Sequence, residues 1–268
     1  MTEKCVAVIG YGALGKILVQ GIQEKLKGLY RLAGVWEQQP EAAEAARKTG
    51  IKVYASFEEL VEERPDYVVE IASKEAVETC GERILANGMD LVVTSVGALA
   101  DSGLYDRLRL AAEAGGQKVY VTSGAVGGFD VLQTIEAMGG ARGRIENFKA
   151  PDSLNGAPYL EGRSLSEEVP ERVFTGTARE AIKGFPKNVN VAVASAIASV
   201  GVDQMEVIIE SRPGLADNIH KITVENDSVR AVVEISSKPD ESNPKSSVMT
   251  AWSVVALLRN LAGAVQLF

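Results

Sequence analysis

A short apolar run, Cys5-Val6-Ala7-Val8-Ile9, opens straight into Gly10-Tyr11-Gly12-Ala13-Leu14-Gly15 and then into an amphipathic stretch. A strand has to end and a helix begin within a few residues. Gly10 permits the tight turn, Gly12 lets backbone approach a phosphate, and Gly15 lets helix and strand pack closely. The first turn of the helix, Ala13 and Leu14 included, offers N–H groups and the positive end of the helix dipole to an anion. The spacing alone is common in ordinary turns. Here the unit closes on a second apolar run, 32–36, so Gly10, Gly12, Ala13, Leu14 and Gly15 are read as contacts to a dinucleotide pyrophosphate.

The second run ends at Glu37, the distance at which such folds place the residue that binds the adenosine ribose. A carboxylate there accepts from both hydroxyls and repels a 2′-phosphate. Gln38 and Gln39 follow, with no arginine close by. The expected cofactor is therefore NAD, with NADP as the alternative. A solvated acidic residue at a strand end is the plainer reading of Glu37.

Apolar runs at 5–9, 32–36, 52–54, 67–71, 91–94 and 119–122 alternate with helical stretches at 13–27, 41–48, 57–63, 75–86 and 104–114. That alternation predicts an α/β fold, an N-terminal Rossmann doubly wound parallel sheet covered on both faces. From about Ser123 the texture changes. A helix is expected at 129–138, a strand at 145–149, a polar segment at 151–172 and a small-residue helix at 189–200. Strands at 206–210, 219–224 and 230–236 complete an antiparallel α+β domain. An apolar helix, 246–264, ends the chain, N-capped by Asn243 with Pro244 behind it. It is expected to pack back on the first domain or at a subunit interface. The expected domains are 1–124 for the dinucleotide, 125–245 for substrate and dimerisation, and 246–268 for the returning helix.

At 268 residues with 46% hydrophobic content the chain can build real cores. A net charge of −8 lacks the basic face that nucleic acid requires. No apolar run is long enough to span a bilayer. Cys5 and Cys80 show no metal spacing and read as free thiols, which fits a reducing cytoplasm. No metal site is expected.

The chain has one histidine, His220, within Asp217-Asn218-Ile219-His220-Lys221-Ile222. Histidine exchanges protons near neutral pH without special tuning, yet a lone histidine on a strand is more often structural. The apolar phase of this strand leaves open which face it takes. In Gly184-Phe185-Pro186-Lys187-Asn188-Val189-Asn190-Val191-Ala192 the asparagines can cap a helix or present amides to a nicotinamide or a substrate, and the residues alone leave both open.

Taken together, the glycine turn, 95–99 (Ser-Val-Gly-Ala-Leu), 123–128 (Ser-Gly-Ala-Val-Gly-Gly), 185–192, Asn218-Ile219-His220 and 243–247 (Asn-Pro-Lys-Ser-Ser) resemble the L-aspartate dehydrogenase family in order and over nearly the whole chain. The resemblance implies NAD(P)-dependent oxidation of L-aspartate to iminosuccinate, which hydrolyses to oxaloacetate and ammonia or feeds NAD biosynthesis. It makes His220 the active-site histidine and Ala125 and Asn190 cofactor contacts. It implies a small dicarboxylic amino acid as partner; the apolar last helix and the strands of the second domain suggest a homodimer or larger assembly. Asn188 and Lys245 become candidates for binding substrate. Lys149 and Lys187 are further candidates, because aspartate's two carboxylates need cations or N–H donors; each lysine otherwise reads as a solvated surface group. Two stretches depart from the family: 147–151, which usually carries a threonine and paired prolines, and Ser211-Arg212-Pro213, where an acidic residue is commoner. Both are expected to border the substrate pocket. Alternatives are an oxidoreductase resembling dihydrodipicolinate reductase or homoserine dehydrogenase, and a nucleotide sensor that has lost its chemistry.

Overall fold

The computed structural model describes residues 3–186, 188–238 and 247–267. They separate into two compact units, Met1–Thr122 with Thr250–Phe268, and Ser123–Met249.

The first unit runs β1 (Lys4–Ile9), α1 (Ala13–Lys25), β2 (Tyr30–Trp36), α2 (Pro40–Lys48), α3 (Phe57–Glu63), β3 (Tyr67–Glu70), α4 (Lys74–Ala86), β4 (Asp90–Val93), α5 (Ser102–Gly115) and β5 (Val119–Val121). All strand pairs are parallel, in the order β2-β1-β3-β4-β5. Val8, Val69 and Val92 are fully buried, as both-face coverage of a parallel sheet requires. Short polar side chains start the helices: Ser56, Ser73 and Asp101 accept from the backbone N–H groups of Glu59, Ala76 and Leu104.

The strand expected at 52–54 does not form. Only a bridge joins Val35 to Val53, because Ser56 caps α3 two residues beyond Tyr54 and stops the extension. The bridge lies along the edge of β2 that faces away from β1. A dinucleotide fold places its third strand there, so the missing strand is a shortened edge rather than a different topology.

The last helix, α10 (Met249–Ala262), returns to this unit. Its Ala251, Val254, Val255 and Leu258 share one apolar cluster with Leu18, Val19 and Ile22 of α1. A side chain at Gly21 would collide with Val255 Cγ2, so that glycine sets how closely the two helices approach. Burial is worth about 1.5–3 kcal/mol for each large aliphatic side chain. The apolar character of α10 is thus accounted for within the chain.

The second unit contains α6 (Phe129–Ala137), β6 (Arg142–Lys149), α7 (Pro151–Leu154), β7 (Glu171–Thr177), α8 (Ala178–Gly184), α9 (Asn190–Ile197), β8 (Glu206–Ser211), β9 (Asn218–Glu225) and β10 (Arg230–Ser237). The sheet order is β10-β9-β6-β8-β7. The expectation of an antiparallel sheet is corrected here. β6 and β8 pair in parallel and the other neighbours pair antiparallel. A parallel pair needs a long crossover, and the chain between Lys149 and Glu206 supplies one.

β7 and α8 lie where the sequence reading placed no element. β7 buries only the adjacent Val173 and Phe174 and its register slips between Arg172 and Phe174, so it shows no clean alternation. α8 did carry a signal: Thr177 and Glu180 form a reciprocal capping box. One face of the sheet carries Ile145, Val207, Ile209, Ile222 and Val224 into a core shared with Phe185, Val189 and Ala192.

Candidate active site

In the first unit the glycine turn has the geometry that its sequence demands. Gly10 adopts φ +101°, and a Cβ there would meet Ala72 Cβ at 2.9 Å and Ile71 O at 3.0 Å. A Cβ on Gly15 would strike the Gly10 carbonyl, whereas one on Gly12 would project into open space. Gly12 is also the N-cap of α1 and supplies no side-chain cap, so the leading N–H groups, those of Ala13 and Leu14 among them, face outward without intrahelical acceptors. Two glycines are forced by neighbouring backbone. The third leaves room for something that is not protein. A turn of this geometry is the kind that dinucleotide-binding folds set against a pyrophosphate.

A cavity of about 390 Å³ adjoins the turn, lined by residues including Gly10, Gly12, Trp36, Glu37, Ala72 and Ser73. Glu37 is held at its rim: Oε2 accepts from Tyr11 N and Oε1 from Gln39 N, each at 2.7 Å. The lining contains no lysine or arginine. These residues fit a dinucleotide whose adenosine ribose meets a carboxylate.

Glu70, which the sequence reading missed, closes β3. It is 1% exposed. Its carboxylate accepts from Ala72 N, Ser73 N and Ser95 Oγ, each at 2.8 Å, and from Ser95 N at 3.0 Å. Burial raises its pKa, against the opposing pull of these donors. One side chain thus ties together the loops that follow β3 and β4. The signal was a lone charge ending the otherwise apolar Tyr67-Val68-Val69-Glu70-Ile71.

In the second unit, His220 lies on the core face of β9, in phase with Asn218, Ile222 and Val224 rather than with Ile219. It is 4% exposed. Its Nδ1 is 2.7 Å from Asn147 Oδ1, its cross-strand neighbour on β6. Asn147 is oriented by its own Nδ2, which donates to Ile208 O at 3.4 Å. Nδ1 therefore donates and Nε2 carries the lone pair. Burial, with the charge of Lys149 adding to it, lowers the imidazole pKa to about 3. His220 is neutral throughout the physiological range.

Lys149 is not the surface lysine that the sequence suggests. It is 3% exposed, and its Nζ donates to Asn218 Oδ1 at 3.1 Å. Desolvation lowers its pKa to about 8. Among the described residues it has no carboxylate partner. Ser211 stands opposite Lys149 on β8. The two departures from the family pattern therefore meet in one register row of the sheet.

Ala125 is buried in the core of the second unit. Asn190 is the first residue of α9. Asn188 spends its Nδ2 on Ser153 O at 2.8 Å, which ties α7 to the start of α9. Lys187 and Lys245 lie outside the described residues, as does the Asn243-Pro244 cap. Among the described residues no group of acidic, histidine and cysteine side chains could hold a metal ion.

Comparison with known proteins places the chain in a family. The family model for the C-terminal part of aspartate dehydrogenase matches residues 130–261, and that for the NAD-binding domain of homoserine dehydrogenase matches residues 10–122. An L-aspartate dehydrogenase of Methanosarcina acetivorans is 34% identical over 267 residues, covering 98% of both chains. One from Brucella anthropi is 32% identical over 96% of both. The solved structure of aspartate dehydrogenase from Thermotoga maritima superposes with a TM-score of 0.76 at 27% identity, covering 99% of this chain and 100% of that one. With relatives of this identity aligned from end to end, the chain belongs to the L-aspartate dehydrogenase family.

Proposed function

We propose that the chain oxidises L-aspartate with NAD, releasing iminosuccinate that water converts to oxaloacetate and ammonia. The observation that carries the reading is His220: a buried neutral imidazole whose Nδ1 is committed to Asn147, leaving Nε2 as a fixed acceptor. Gly10, Gly12, Ala13, Leu14, Gly15 and Glu37 would hold the nucleotide, with Ala125 and Asn190 as its further contacts. When bound, it supplies the acceptor for the hydride that leaves Cα. His220 Nε2 takes a proton from the substrate amine, and in the hydrolytic step it holds the water that adds to the imine carbon. Asn147 keeps the Nδ1 proton in place, so Nε2 is the acceptor whenever the ring is neutral. Glu37 at the pocket rim, without a nearby cation, supports NAD over NADP. A cytoplasmic setting accords with the free thiols of Cys5 and Cys80. A homodimer accords with Val232, exposed on the edge strand β10; a 28.5 kDa species in sedimentation would count against it.

A panel of 2-oxo acids with ammonia, followed by nucleotide absorbance with NADH and NADPH in parallel, tests the reading. Oxaloacetate with NADH is expected to give the highest kcat/KM by far. A preference for a monocarboxylic oxo acid, or for NADPH, would overturn the corresponding part.

A further inference from the structure

The second unit buries a cation with no counter-charge among the described residues. Lys149 is enclosed, its Nζ has a neutral amide as its recorded acceptor, and no described carboxylate pairs with it. Buried charges in folded proteins are ordinarily paired, because an isolated one is costly. A second polar group in the same row is equally unspent. Ser211 is 0% exposed, and its Oγ has no hydrogen-bond partner among the described residues.

The two groups are brought together by register. Lys149 and Ser211 are paired residues of β6 and β8, and paired residues point to the same side of a sheet about 5 Å apart. Asn147 lies two residues before Lys149 on that side and pairs with His220. The row holding the unpaired ammonium and hydroxyl is therefore next to the row holding the imidazole. Asn218, in turn, steers Nζ from β9.

We infer that Lys149 Nζ and Ser211 Oγ form the subsite for one carboxylate of a dicarboxylic substrate, one row from His220. This rests on the proposed function and names groups that discriminate a dicarboxylic acid from a monocarboxylic one. A carboxylate supplies the missing charge to Lys149 and an acceptor for the Ser211 hydroxyl.

Succinate tests the subsite apart from turnover, because it has both carboxylates but no amine to oxidise. Its binding to the enzyme–NADH complex is measured by calorimetry for wild type, Lys149→Met and Ser211→Ala, with the NADH Kd as a control for folding. Lys149→Met is expected to weaken succinate about 100-fold and Ser211→Ala about fivefold, as charged and neutral hydrogen bonds are worth, with NADH binding unchanged. In turnover the loss falls on the KM for oxaloacetate more than on kcat. Wild-type succinate affinity in Lys149→Met, a loss confined to kcat, or no succinate binding by wild type would overturn the subsite. If wild type reduces oxaloacetate while Lys149→Met keeps its KM, the subsite falls and the proposed function stands. If succinate binding depends on Lys149 but no dicarboxylate is turned over, the subsite stands and the proposed function falls.

Discussion

At His220 a carboxamide does what a carboxylate does for many proton-transferring histidines. Asn147 accepts a hydrogen bond from Nδ1–H and fixes the ring, but brings no negative charge to stabilise an imidazolium. The outcome is a weak base, with a pKa of about 3. Lys149 is one cause of that weakness, so a carboxylate that neutralises Lys149 makes His220 more basic as substrate arrives. His220→Ala is expected to lower kcat by about 10²–10⁴, the usual worth of acid–base catalysis, with NADH affinity intact; wild-type turnover in a folded variant contradicts the role. Lys149 has a stability signature as well. Its folded pKa of about 8 lies below the ordinary 10.5. Between these values the unfolded chain holds a proton that the folded chain lacks, so stability rises with pH across that window. Below it the buried charge costs on the order of 3 kcal/mol. Lys149→Met should therefore raise Tm at pH 7 and abolish the rise in stability between pH 8 and 10.5. A lower Tm would mean that Lys149 holds the sheet together instead.

At the scale of elements, Glu70 shows how one buried carboxylate replaces several loop contacts. Glu70→Gln keeps the size but removes the charge and turns an N–H₂ toward backbone donors. It is expected to cost about 1–3 kcal/mol of stability, as a broken buried network does, and to raise the Kd for NADH, because Ala72 and Ser73 line the cavity. Fluorescence titration and thermal melts read both, and an unchanged Kd would make Glu70 purely structural. The elements themselves were legible to differing degrees. Every expected strand of the first unit except 52–54 formed, because a sheet buried on both faces writes continuous apolar strands. Residues 52–54 failed because three apolar-rich residues followed at once by a capped helix cannot extend a ladder. β7 was invisible because half its residues are polar and it carries a register slip. The parallel pairing of β6 with β8 depends on which strand inserts between which, and no local pattern records that.

At the scale of the whole molecule, local chemistry and chain order contribute different parts of the account. The glycine turn was legible because neighbouring backbone leaves no room for a Cβ at Gly10 or Gly15, whereas Glu37 was read from its spacing alone. His220 was legible only as a unique histidine, and its role came from resemblance. Lys149 was misjudged as solvated, since a lysine ending a strand looks the same in sequence whether the row around it is wet or dry. The central claim is that the hydride leaves Cα of L-aspartate. The most direct test incubates the enzyme with L-aspartate deuterated at Cα and NAD, then weighs the reduced nucleotide. NADH one mass unit heavier than the product from unlabelled aspartate is expected, formed together with oxaloacetate and ammonia. Reduced nucleotide of unlabelled mass, or none at all, would contradict the claim.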